Sequence, residues 1–339
     1  MRERSDSAHR ATSLSSSSEH EQVSAEPVDA LRMETVRCCI CGTGDAVSVG
    51  TGEDFEYESS PDTFVSVRCR RCDLVYLNPR PTLEELDRIY PPHYHAYQFT
   101  AAKFGLAFRV RSRLEARRLL SYAKGLRQGA RILDIGCGDG FHLDLLKRFG
   151  DPSWDLVGVD VSEKAVSVAR QRGLTVHHGR IGEAGLPAAS FDLILLIATI
   201  EHVDDPAGVI EAAARLLKPQ GRAVIVTDNT DSIDFRIARR RHWGGYHFPR
   251  HWNLFNARSM DLLATRAGMR VVNIETSVTP VNWVYTIHNW LADHHAPSWL
   301  VNRFGLASPV SLGVFTVLDT VLTAFGRGGL LRATLAKAA

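Results

Sequence analysis

The sequence has almost no excess of charge of either sign: 40 Lys and Arg stand against 38 Asp and Glu in 339 residues, a formal net charge of +2. That balance argues against the strongly basic surface of a nucleic-acid or anionic-membrane binder, so small molecules become the default substrates. The N-terminal stretch has no basic segment followed by an apolar run and a cleavage site. No secretory signal is read there, and an intracellular, cytoplasmic setting is expected. Large apolar side chains are scarce in residues 1–34, which carry Ser13 to Ser18 and scattered charges; such a segment cannot offset its ordering entropy and is expected to be a disordered tail. A membrane span of about 20 apolar residues is also missing. Phe304–Leu318 is uncharged, but Pro309 lies within it and Asp319 follows it.

Cysteine is sparse and unevenly placed, with five of six between Cys38 and Cys72. Cys38 and Cys41 form one C-x2-C pair and Cys69 and Cys72 another, 27 residues apart. In a reducing compartment this spacing favours a metal over disulfides, and four thiolates satisfy the tetrahedral preference of Zn2+. A fragment this small needs such a staple to fold. A structural zinc ribbon held by Cys38, Cys41, Cys69 and Cys72 is therefore expected, with Cys39 left over because it breaks the spacing. Redox-active C-x2-C pairs are the alternative, without the surrounding βαβ pattern they need. Arg68, Arg70 and Arg71 leave open a nucleic-acid grip.

The most informative stretch is Asp134-Ile135-Gly136-Cys137-Gly138-Asp139-Gly140, between the strand-like Arg131-Ile132-Leu133 and the helix-like Phe141-His142-Leu143-Asp144-Leu145-Leu146. Glycines at this spacing let a backbone turn sharply and approach a ligand. A dinucleotide fingerprint reads G-x-G-x-x-G; here the third glycine comes one residue early, and Asp134 would repel phosphate. A cationic ligand suits the turn better. Asp155-Leu156-Val157-Gly158-Val159-Asp160 then reads as a second buried strand ending in an acid placed to accept from ribose hydroxyls.

With these residues the chain resembles the class I methyltransferases that use S-adenosylmethionine. The resemblance continues through Phe191-Asp192-Leu193-Ile194-Leu195, Glu201-His202-Val203-Asp205-Pro206 and Leu216-Leu217-Lys218-Pro219-Gly221, over about residues 104–276. It implies that Asp134, Gly136, Gly138 and Gly140 hold the methionine part of the cofactor and Asp160 its ribose. The family's acid after the third strand is displaced, leaving Ile181 to pack on the adenine and Glu183 to supply the carboxylate. Glu201 would shape the cofactor pocket, and His202 would either do the same or act as base.

Arg239 to Phe255 concentrates arginine, histidine and aromatic residues on a loop after the fifth strand, where binding groups collect. Its arginines suit a diphosphate or carboxylate. Within it, Tyr246 and His251-Trp252-Asn253-Leu254-Phe255 resemble a Tyr…Glu-His…Phe-Ser segment of sugar C-methyltransferases, which also carry a four-cysteine zinc module; Arg250 stands in place of the glutamate. The resemblance implies His251 as base with Tyr246 beside it.

The expected architecture is α/β: a doubly wound, mostly parallel seven-stranded Rossmann-like sheet with a small N-terminal zinc ribbon and a helical C-terminal cover. Its divisions are a tail (1–34), the ribbon (35–80), a helical linker or lid (81–128) that includes Tyr90, His93, Tyr94, His95 and Tyr97, the cofactor-binding core (129–276), and a cover (277–339). In the cover, Val310, Val314, Leu318, Val321 and Leu322 mark an amphipathic helix over the substrate pocket, and an edge strand is expected near Leu331–Leu335. Peripheral membrane contact is kept open. The expected activity is methylation, at carbon or oxygen, of a small polar metabolite such as a sugar nucleotide or glycan. The rivals are an RNA methyltransferase gripping RNA with its ribbon and a noncatalytic cofactor-binding scaffold.

Overall fold

The computed structural model describes residues 29–91 and 101–338. The expected tail, apart from its last few residues, and His93, Tyr94, His95 and Tyr97 of the expected lid lie outside them.

Five short strands come first: β1 (Met33–Glu34), β2 (Ala46–Gly52), β3 (Phe64–Cys69), β4 (Val75–Leu77) and β5 (Arg80–Pro81). At the start of the expected helical linker there are only a 3₁₀ turn and a one-turn helix, α1 (Leu86–Ile89). A long helix, α2 (Ala101–Tyr122), leads into the core. There, strands and helices alternate: β6 (Arg131–Ile135), α3 (Phe141–Phe149), β7 (Asp155–Asp160), α4 (Glu163–Gln171), β8 (Thr175–His178), β9 (Phe191–Ile197), α5 (Pro206–Leu216) and β10 (Leu217–Asp228). Next come α6 (Ile233–Ala238), β11 (Asn253–Leu254), α7 (Ala257–Arg266), β12 (Met269–Ser277), α8 (Val281–Asp293), α9 (Ser298–Val301), α10 (Pro309–Ala324) and β13 (Leu330–Lys337).

Seven strands form one sheet in the order β12-β13-β10-β9-β6-β7-β8, the mixed α/β sheet that the alternation predicts. All neighbours from β10 to β8 pair in parallel, whereas β13 is antiparallel to both β10 and β12. β6, β9 and β10 carry continuous buried runs because helices cover both faces of a parallel sheet. The helices begin at local caps: Ser162 accepts from the Ala165 amide, Asp205 from Gly208 with Pro206 following, and Asn256 and Ser259 form a capping box. The C-terminal strand corrects one expectation. β13 is not an edge strand; it lies between β10 and β12, since α8 to α10 carry the chain out after β12 and return it antiparallel into the gap.

The cysteine-bearing strands form a second sheet, β11-β4-β3-β2. Its fourth strand comes from the core's own loop, 214 residues beyond Cys39 where Asn253 meets that thiol. Cys38, Ile40, Cys69, Cys72, Leu74 and Tyr76 share one apolar cluster with Ile200, Ala207, Phe255 and Met260 of the core. The cysteine module is therefore packed into the molecule rather than tethered to it.

Candidate active site

Parallel sheets present their ligand-binding groups beyond the carboxyl ends of their strands. At that rim the glycine turn follows β6, Asp160 ends β7, Glu201 follows β9 and Asp228 ends β10. The three glycines of the turn have φ of +73°, +53° and +80° at Gly136, Gly138 and Gly140, values that side-chain-bearing residues rarely adopt. A Cβ on Gly136 would sit 2.4 Å from Thr199 and one on Gly140 2.3 Å from Leu174, so those two exist for packing. Around Gly138 there is open space. Its amide donates 2.7 Å to Asp160, whose other oxygen accepts from Ser162. Asp134 is 1% exposed, and among the described residues its Oδ2 has no hydrogen-bond partner, with His142 Nδ1 3.6 Å away. A buried carboxylate oxygen left unsatisfied beside an open glycine is the feature a cationic amino-acid moiety would complete.

A second group of side chains converges on the same rim. Asp228 Oδ2 lies 3.2 Å from His251 Nδ1, which also lies 2.8 Å from the Gly245 carbonyl. Because Nδ1 faces two acceptors it carries the proton, and the lone pair is on Nε2. The other Asp228 oxygen accepts from Asn282 of α8 at 2.7 Å. Burial opposes charge on His251, yet Asp228 and Glu201 outweigh it and raise the imidazole above its ordinary value. His202 behaves in the opposite sense: burial, then the adjacent His251 and His247, hold it well below the ordinary value. Its Nδ1 is 2.9 Å from the Tyr90 hydroxyl and 3.2 Å from the Arg250 carbonyl. The His202 and His251 rings meet edge to face at 4.6 Å. Glu201 accepts from Thr227 at 2.8 Å, and burial pushes its carboxyl up to about 7.

The backbone explains how a loop can aim His251. The Trp252 and Asn253 amides both donate to the Glu201 carbonyl, and Asn253 Nδ2 donates to Val203. β11 then pairs with β4, so the residue after His251 is clamped between the two sheets. Arg250 completes the clamp. It is wholly buried, forms a two-pronged pair with Asp54 at 3.1 and 2.8 Å, and donates to the carbonyls of Ile89 and Phe248. Arg241 is likewise committed to Asp293 and Glu53. These two arginines build internal bridges and do not offer themselves to a diphosphate.

In the cysteine module, Sγ of Cys38 and Cys72 are 3.3 Å apart and those of Cys41 and Cys69 3.4 Å, and all four sulfurs lie within 4.8 Å of one another. Cys39 points elsewhere, to Asn253, and burial pushes its thiol up to about 12. The arginines that suggested a nucleic-acid grip have protein neighbours: Arg70 pairs with Asp45, and Arg68 lies over the Phe235 ring.

Residues 108–274 match a protein family described as a methyltransferase domain. The ubiquinone biosynthesis O-methyltransferase of Cereibacter sphaeroides (strain ATCC 17025) is 33% identical over 172 residues, 47% of this chain and 68% of that relative. Its counterpart from Hahella chejuensis is 39% identical over 117 residues, 32% of this chain and 48% of the relative. The chain belongs to the class I S-adenosylmethionine-dependent methyltransferases. A methyltransferase structure from Archaeoglobus fulgidus is also similar, at 22% identity and TM-score 0.45 over 72% of this chain and all of that one.

These relatives overturn the expectation of a sugar-nucleotide or glycan acceptor, since they are named for O-methylation in ubiquinone biosynthesis. The physical reason lies in Arg250. Where the sugar family has a glutamate, this methyltransferase has a cation that is spent on Asp54. Of the other sequence-selected residues, the structure brings His251, His202 and Glu201 together and sets Asp134, Gly138 and Asp160 around one turn. Ile181 is buried behind β8 and Glu183 is exposed. Tyr246 is corrected: it is 1% exposed, its hydroxyl donates to the Arg239 carbonyl, and its ring packs on Trp243 and Phe248, so it belongs to the aromatic core. Sequence reading missed Asp228, Asn282 and Thr227. Asp228 carried a signal, being an acid at the carboxyl end of a buried strand, the same mark that singled out Asp160.

Proposed function

We propose that this methyltransferase moves the methyl group of S-adenosylmethionine to a ring hydroxyl of a small lipophilic quinone precursor, with His251 as the general base. The observation that carries the assignment is the Asp228–His251 pair beside Glu201. An aromatic hydroxyl has an ordinary pKa near 10 and attacks poorly while it keeps its proton. Nε2 of His251 takes that proton as the oxygen attacks, and Asp228 holds the imidazole in the right tautomer and stabilises the charge it gains. His202, kept neutral by burial, shapes the pocket and is the weaker candidate base. The cofactor, when bound, supplies an electrophilic methyl on sulfur. Asp134 would face its ammonium, Gly138 its backbone and Asp160 its ribose, in keeping with the unsatisfied Asp134 oxygen and the open space at Gly138. Ile181 and Glu183 are the adenine candidates. Alignment of oxygen, methyl and sulfur supplies much of the rate.

The four thiols also fit Zn2+ as a structural ion. Tetrahedral Zn–S bonds of about 2.3 Å place sulfurs about 3.8 Å apart, comparable to the spacing here. The ion's effect on the chemistry would be indirect, through β4 and β11 to His251. One zinc per chain by elemental analysis, lost on Cys72→Ser, is the expected result.

The test is transfer of labelled methyl from S-adenosylmethionine to a hydroxylated, prenylated aromatic acceptor. The reading predicts product with wild type and a drop of roughly 10²-fold or more with His251→Ala, with cofactor binding retained. An unchanged rate in that variant would remove His251 from the role.

A further inference from the structure

The helix that was expected to cover the pocket with an apolar stripe is turned the other way. Val310, Val317 and Phe325 are 76%, 68% and 77% exposed, and Val314, Leu318 and Val321 are exposed with them. At 100° per residue these six positions fall within an arc of about 100°, one continuous face of α10. The inward face is the more polar one. Ser311 and Asp319 are buried, and the Asp319 carboxylate accepts from the Thr279 and Gly329 amides, which fixes the helix to the chain entering and leaving it. Phe315 stacks on Trp283 of α8. The inversion is therefore built in: rotating α10 to hide its valines would withdraw the Asp319 carboxylate from the Thr279 and Gly329 amides and leave both donors without their acceptor.

Three further observations say what such a face meets. Between Pro297 and Gly329 the only acid is Asp319, wholly buried, while Arg303 is exposed, so this stretch of chain offers no exposed carboxylate and carries a cation. α9, which precedes α10 in the chain and packs on the same helix α8, presents Trp299 at 66% exposure. Thr316 and Thr320, which border the stripe, donate their hydroxyls to the carbonyls of Leu312 and Thr316, so neither hydroxyl needs water. Apolar groups, an exposed tryptophan and an exposed arginine with no acidic partner among the described residues suit a lipid interface. They suit a second copy of the chain less well, since a self-paired face would supply no carboxylate for Arg303. At about 24 Å the helix can lie in an interface but is too short to span one, and among the described residues no helix is long and apolar enough to cross a membrane.

We propose that α10, with α9 packed on the same helix α8, is a lipid-docking surface that lays its valine and Phe325 face into the headgroup region of an anionic bilayer. The surface has a route to the chemistry. Thr279, held by Asp319, begins the turn into α8, whose Asn282 donates to Asp228, the partner of His251. The residues involved lie outside the matched methyltransferase domain, at 298–325 against 108–274. The docking claim stands on these residues whether or not the acceptor is a quinone precursor. A bilayer is, however, where such an acceptor would be found.

The experiment is flotation of the full chain with vesicles of phosphatidylcholine alone and of phosphatidylcholine with 30% phosphatidylglycerol, for wild type, Val317→Glu with Val321→Glu, and Arg303→Glu. Both valines are exposed, so the double variant is expected to keep the wild-type melting temperature and cofactor affinity, which are measured alongside. Docking predicts that wild type floats with the anionic vesicles, that each glutamate weakens binding by about tenfold, the worth of one buried valine, and that Arg303→Glu removes the preference for phosphatidylglycerol. Failure of wild type to float overturns the proposal, as does equal flotation of the double variant. A concentration-dependent dimer that the double variant dissociates, with no flotation, would assign the face to a second copy instead. None of these readouts uses turnover, so a negative result leaves the methyl-transfer reading standing.

Discussion

On the proposed assignment of His251 as base, its pH behaviour follows from one carboxylate, that of Asp228. Its pKa is raised by Asp228 against the opposing effect of burial. The imidazole accepts a proton only when neutral, so activity is expected to rise with pH through a limb above the ordinary imidazole value of about 6.5. Asp228→Asn should move that limb to lower pH and lower the plateau by at least about tenfold, since the amide neither stabilises the imidazolium nor fixes the tautomer; a kcat/KM profile for both proteins checks this. Glu201, pushed up to about 7, titrates in the same range, so the limb belongs to the pair. At Gly138, an added methyl would enter the open space and strain a residue at φ +53°. Gly138→Ala should weaken cofactor binding about tenfold or more by calorimetry and cost about 1–2 kcal/mol of stability. The glycine turn was legible in sequence because a positive φ is a local demand. Tyr246 was not, because nothing local distinguishes an aromatic side chain that faces a site from one that fills a core.

Among the elements, β11 and α10 depart furthest from what periodicity suggests. Two residues suffice for β11, and no pattern marks so short a strand; its partner β4 is distant in sequence, so pairing depends on the tertiary fold. For α10 the 3.6-residue stripe was correctly read, but periodicity gives the existence of a face and not its direction. Only Asp319, an acid opposite the stripe, hinted that the inner side was polar. The loop after β2 depends on Asp54, which accepts from Arg250, the Ser59 hydroxyl and the amides of Glu56, Tyr57 and Ser59. Removing one partner of a buried pair leaves the other charge uncompensated. Asp54→Ala is expected to cost about 3–5 kcal/mol of stability in urea unfolding, a large share of the total for a domain.

On the scale of the whole molecule, two sheets divide the labour. The seven-stranded sheet carries the glycine turn, and its parallel part followed from the alternation of helix and strand between Arg131 and Thr276, whereas the insertion of β13 between β10 and β12 did not. The small sheet, through β4 and β11, positions the segment that bears His251. That coupling was hidden in the sequence, where the cysteines and His251 are some 180 residues apart. On the proposed zinc assignment it has a measurable consequence: stripping that ion from the cysteine module should lower the melting temperature and kcat together while leaving cofactor affinity nearly unchanged, because the glycine turn belongs to the other sheet. Equal losses in both would mean that the module supports the whole fold.

The most direct test of the account is to identify the atom that receives the methyl group. Labelled S-adenosylmethionine is incubated with wild-type protein and a prenylated aromatic diol, and the product is resolved by NMR, with His251→Ala in parallel. The account predicts a methyl ether on a ring oxygen, formed by wild type and reduced roughly 10²-fold or more in the variant. A carbon-bound methyl group, or an ether formed equally well without the imidazole, would contradict it.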